Sequence, residues 1–67
     1  MKAEMVYGRL VKVENNTVTI EVEKKNGLEE VEYQLDIELD EGWVAANLGK
    51  SMDVVLIDGK VKSFRSQ

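Results

Sequence analysis

The side chains of this sequence with the most chemical capacity are carboxylates. Glu21, Glu23, Glu30 and Glu32 alternate with apolar residues in two consecutive segments, which puts them on one face of a two-stranded ribbon. A face of oxygen ligands suits docking of a basic partner or weak capture of a hard divalent cation. The plainer reading is a solvated face whose charges guard against edge aggregation, relieved in part by Lys24 and Lys25. A second group is cationic: Lys60, Lys62 and Arg65 lie beside Val55, Ile57 and Phe64. With a two-residue turn at Asp58-Gly59, Leu56 faces Val61 and Val54 faces Ser63. The trio Val55, Ile57 and Phe64 then shares the outer side, a candidate contact patch for a protein partner or a second copy. The plainer readings are a one-residue slip of the hairpin or coverage by residues 1–5.

Other chemistry is poorly provided for. The chain has no histidine and no cysteine, so the commonest general base, thiolates and zinc–thiolate sites are all missing. Gly49-Lys50-Ser51 has the ending of a phosphate-cradling loop, but Val44 stands where that loop needs its first glycine. Residues 36–42 (DIELDEG) start like a calcium loop. Counted from Asp36, however, the glycine falls at position 7 rather than 6, and Asn47 replaces the bidentate glutamate at 12. No nucleophile sits beside a base, so neither catalysis nor a cofactor is expected.

The elements that position these groups are mostly strands. Val31, Tyr33, Leu35, Ile37 and Leu39 alternate with Glu32, Gln34, Asp36 and Glu38, which predicts a half-buried strand over residues 31–39. Before it, Asn26-Gly27 is a preferred hairpin turn. Used as a two-residue turn it sets Val22 against Val31, Ile20 against Tyr33 and Val18 against Leu35. On the outer face Glu23 then meets Glu30 and Glu21 meets Glu32, like charges that oppose pairing. Asn15-Asn16 turns the preceding hairpin and pairs Val13 with Val18 and Val11 with Ile20. The first strand carries Val6, Gly8 and Leu10 on one parity and Val11 and Val13 on the other. A bulge or bend near residues 8–10 reconciles them. Residues 40–49 predict a short helix with Asp40 as N-cap, Trp43 in the first turn and Gly49 just past the end. Residues 52–57 and 60–64 form a last hairpin.

Sixty-seven residues make a single domain, 1–67. Hydrophobic content of 43% and charged content of 33% are those of a folded, soluble chain. No apolar run is long enough to span a membrane and the start lacks a signal peptide's apolar core, so a cytoplasmic location without membrane contact is expected. The net charge of −4 is split. Residues 13–49 carry ten acids against Lys24 and Lys25, while both flanking segments are mildly basic. Such a balance opposes generic nucleic-acid binding.

Three meandering strands, a short helix and a two-stranded hairpin resemble, in element order, the OB-fold. That fold is a mainly β, five-stranded Greek-key barrel with its helix between strands three and four. The resemblance covers nearly the whole chain. An SH3-like barrel is the alternative; it normally places only a short 3₁₀ turn late in the chain, which a capped segment at residues 40–49 fits less well. The OB resemblance implies oligonucleotide binding across strands two and three. Here that face would show Thr19, Glu21, Glu23, Glu30, Glu32 and Gln34, with no aromatic for base stacking. Tyr7, Tyr33, Trp43 and Phe64 read as core or core edge, and nucleic acid would have to use Arg9, Lys12, Lys60, Lys62 and Arg65. The function expected is therefore a small non-catalytic binding module, acting in protein–protein interaction or self-association through strands four and five. The alternative is a single-stranded DNA- or RNA-binding domain.

Overall fold

The computed structural model describes residues 1–66; Gln67, the last residue of the expected domain, lies outside them. The elements are β1 (Ala3–Glu14), β2 (Thr17–Lys24), β3 (Gly27–Leu35), α1 (Glu41–Asn47), β4 (Ser51–Ile57) and β5 (Lys60–Ser66). The five strands close in a ring in the order β1-β2-β3-β5-β4. All neighbours are antiparallel except β3 and β5. A mainly β chain with one short helix between the third and fourth strands is thus what the sequence pattern implied.

Closure depends on β1, which serves two partners. Residues 3–9 pair with β4 and residues 9–14 pair with β2. Within the second of these stretches the register slips by one residue at Val11, a bulge just after the residues where the change of parity requires one. Leu10 therefore faces Ile20, and the expected Val11–Ile20 pair does not form, whereas Val13 does face Val18. Leu10 is held from the other side as well: its N–H donates to the Lys50 carbonyl at 2.9 Å, and its carbonyl accepts from Gly49 N–H at 2.8 Å. Side chains from both halves of β1 then enter one interior. Leu10, Val18, Ile20, Val22, Met52, Val54, Leu56 and Val61 form that core.

The β2–β3 hairpin departs from the expected register by two residues. Lys24 faces Gly27, so the turn residues are Lys25 and Asn26. Gly27 supplies its positive φ of 120° as the first residue of β3. Ile20 consequently meets Val31 rather than Tyr33, and Val18 meets Tyr33 rather than Leu35. A slip of two keeps every side chain on its own face, so Val31, Tyr33 and Leu35 still pack against the core. Asn15 turns the β1–β2 hairpin with φ 53°, and Asp58 and Gly59 turn the last hairpin with φ 51° and 82°.

The third strand ends earlier than its alternation suggests. Strand pairing stops at Leu35, and Asp36 N–H donates to Val61 carbonyl at 2.9 Å before the chain leaves the sheet. Residues 37–40 run on to α1. There Asp40 accepts a hydrogen bond from Trp43 N–H at 3.1 Å, the expected N-cap. Gly49 follows the helix with φ 85°, as a C′ residue does. No residue of α1 is fully buried. Half-buried Trp43 is its anchor on the core.

Candidate protein-contact surface

The expected patch on β4 and β5 is divided by a bulge. Ile57 faces Lys60 and Leu56 faces Val61, but Val55 faces Ser63 and Val54 faces Phe64, so Lys62 is the extra residue. Val55 no longer meets Lys62, and Phe64 leaves the outer face. Its half-buried ring packs over the core edge with its centroid 5.0 Å from that of Trp43, tilted by 43°. Val55 and Ile57 stay on the outer side of β4, half-buried beside Met5 and Ala3 of β1. Of the plainer readings, the slip of the register by one holds here; residues 3–5 flank the patch as a paired strand and do not lie over it.

Phe64 instead lines a cleft of about 340 Å³. One wall is β5, through Lys62, Ser63 and Phe64; the other is the departing chain, through Ile37, Glu38, Leu39 and Asp40, with Trp43 between. The cleft opens where β3 and β5 part. An ion pair between Lys62 and Asp36 stands at that fork. The hydrogen bond from Lys62, and then its charge, holds the Asp36 carboxyl below the usual carboxylate range. Lys60 is exposed opposite Ile57, and Arg65 is exposed opposite Asp53. Of the six residues expected to meet a partner, the fold thus brings Lys62 and Phe64 to the cleft, leaves Val55 and Ile57 on another face, and sets Lys60 and Arg65 near the ends of β5.

The acidic face is also rearranged. Glu21 faces Glu30, Glu23 faces Leu28 and Glu32 faces Thr19, so one like-charged pair remains where two were expected. Glu21 is engaged by Arg9, whose Nε donates to Oε1 at 3.0 Å, and this bond holds the guanidinium still more firmly protonated. Thr19 is buried rather than solvent-facing. Among the described residues no three carboxylates converge to hold a metal ion.

Two surface residues escaped the sequence reading. Tyr7, expected in or near the core, is 57% exposed on the outer face of β1. With Arg9, Glu21, Glu23, Leu28 and Ser51 it lines a hollow of about 450 Å³. Its parity was legible, since it lies between inward Val6 and Gly8. Leu28, 65% exposed, follows Gly27 at the start of β3. Tyr33 stays at the core edge; burial, and then the carboxylates of Glu4 and Glu29, push its hydroxyl above the ordinary tyrosine value. No helix among the described residues is long and apolar enough to cross a membrane. No family model, curated protein or solved structure matches this chain.

Proposed function

We propose that the chain is an OB-like, non-catalytic binding module that contacts other protein along β5. The observation that carries this reading is the cleft between β5 and residues 37–40. It joins an aromatic pair, Trp43 and Phe64, to a strand whose pairing with β3 has stopped at Val61. A strand without a neighbour offers main-chain hydrogen bonds to an added peptide, and a pocket beside it reads alternate side chains of that peptide. Aromatic residues in such pockets commonly carry much of the binding energy.

Trp43 is the only tryptophan, so its emission reports on the cleft directly. Extended peptides selected by display on the whole chain are expected to shift that emission. Phe64→Ala should weaken them by about tenfold, the loss typical of a buried anchor. Lys62→Ala, at the rim, guards against a Phe64 variant that fails to fold. Peptides that bind with Trp43 emission and both variants unaffected would place the contact elsewhere.

A second reading rests on Tyr7. An exposed aromatic beside Arg9 is suited to stacking on a base, and in OB-like barrels that face is a usual ligand surface. Glu21 occupies Arg9 there, and Glu23 adds a charge that repels phosphate. Titration with single-stranded oligonucleotides at low salt is therefore expected to show no binding. Binding that falls steeply with salt and disappears in Tyr7→Ala would favour the nucleic-acid reading instead.

A further inference from the structure

Glu38 and Asp40 carry exposed carboxylates at the wall of the cleft beside β5, and Trp43 and Phe64 supply its aromatic lining. Asp40 accepts a hydrogen bond from Trp43 N–H through Oδ2, which caps the helix and leaves the charge in place. Neither carboxylate has an ion pair among the described residues. Lys62 is the one cation lining the cleft, and it is engaged by Asp36. Lys60 also acts on Asp36, and Arg65 alternates onto the other side of β5, opposite Asp53. Residues 36–41 thus hold carboxylates at Asp36, Glu38, Asp40 and Glu41 against the nearby cations Lys60 and Lys62. The excess is negative, so the cleft suits a cationic guest and turns away an acidic one.

The aromatic pair points the same way. A cation is attracted to the face of an aromatic ring, most strongly to tryptophan, within about 6 Å of the centroid. The Trp43 and Phe64 centroids are 5.0 Å apart, so one cation has room to reach both. A guanidinium is planar, stacks on aromatic rings and carries several N–H donors, so it also serves more than one carboxylate. Ile37 and Leu39 offer apolar surface to the methylene stem behind it. Within the binding-module reading, on which this rests, we infer that the cleft is an arginine pocket. A peptide lying along β5 places an arginine side chain against Trp43 and Phe64, with its guanidinium facing Glu38 and Asp40.

Extended peptides selected by display on the whole chain test this, with Trp43 emission as the readout. The selected sequences are expected to share an arginine. Replacing it by citrulline, which keeps the shape and removes the charge, should weaken binding by at least about tenfold. This arm leaves the protein untouched, so no failure to fold can obscure it. On the protein, Glu38→Gln with Asp40→Asn removes both charges and keeps a good N-cap residue. That double variant, its fold checked by circular dichroism, should weaken the arginine peptide by a similar factor and leave the citrulline peptide within about twofold. Glu30→Gln with Glu32→Gln takes the same charge from β3 and should leave both peptides within about twofold. Should Glu38→Gln with Asp40→Asn unfold, Glu38→Gln replaces it and must weaken the arginine peptide on its own. Selected peptides that shift Trp43 but carry no arginine, lysine-containing ones included, overturn the arginine pocket and leave the binding-module reading standing. An arginine that citrulline replaces without loss does the same, as does one whose effect persists without the Glu38 and Asp40 charges. If no selected peptide moves Trp43 emission, both fall.

Discussion

Replacing Gly8 by alanine is expected to cost about 3 kcal/mol, at the upper end of what overpacking a close-fitted site usually costs. A Cβ added at Gly8 would lie 2.4 Å from Ile20 Cγ2 and 2.6 Å from the Glu21 carbonyl oxygen. The first contact could be eased by a rotamer change, but the second is with backbone. Gly8 sits just ahead of the place where β1 passes from β4 to β2, facing Met52 on one side and crossing Ile20 and Glu21 on the other. To make room, β1 must move off β2, and the ring loosens at its corner. A domain of this size has a total stability of only about 3–10 kcal/mol, so this one methyl group consumes much of it. Thermal denaturation followed by circular dichroism should show a fall of about 15 °C in the midpoint. A change of only a degree or two would mean that the two strands are not in close contact there.

Ile20→Ala is expected to cost about 3–4 kcal/mol, through lost apolar burial and the cavity left behind. Ile20 is fully buried at the centre of the ring, opposite Leu10 of β1 and Val31 of β3. A closed sheet has little freedom to collapse onto a void, because its walls are hydrogen-bonded to one another. Ile20→Val removes one methylene and should cost only about 1 kcal/mol. Urea denaturation should place both variants on a common slope, with midpoints ordered wild type, valine, alanine. Equal midpoints for alanine and wild type would show that Ile20 does not face the core.

These two residues also show which parts of the fold were legible. The inward parity of Val18, Ile20 and Val22 follows from alternation alone, and the turns at Asn15-Asn16 and Asp58-Gly59 follow from residues that tolerate positive φ. The capped helix follows from Asp40 and Gly49. All of these are local. The β2–β3 register was not local: turns at Lys25-Asn26 and at Asn26-Gly27 put the same residues inside, so hydrophobic pattern cannot choose between them. The two bulges, at Val11 and Lys62, were still less accessible in position. Each corrects the path of a strand so that the ring can close, and closure is a property of all five strands together.

The grouping of the expected patch depended on closure as well: the bulge at Lys62 moves Phe64 from the outer face to the core edge beside Trp43 and away from Val55 and Ile57. Alternation at Ile37 and Leu39 continues past the end of the strand. Those residues turn out to form the far wall of a cleft that exists because β3 stops pairing at Leu35.

Residue-resolved amide shifts of the labelled chain, recorded with a display-selected peptide, address the contact surface most directly. If β5 is the contact edge, the shifts will concentrate at residues 62–65, at residues 37–40 and at the Trp43 indole N–H. Shifts confined to Tyr7, Arg9 and Leu28, with β5 unmoved, would contradict it.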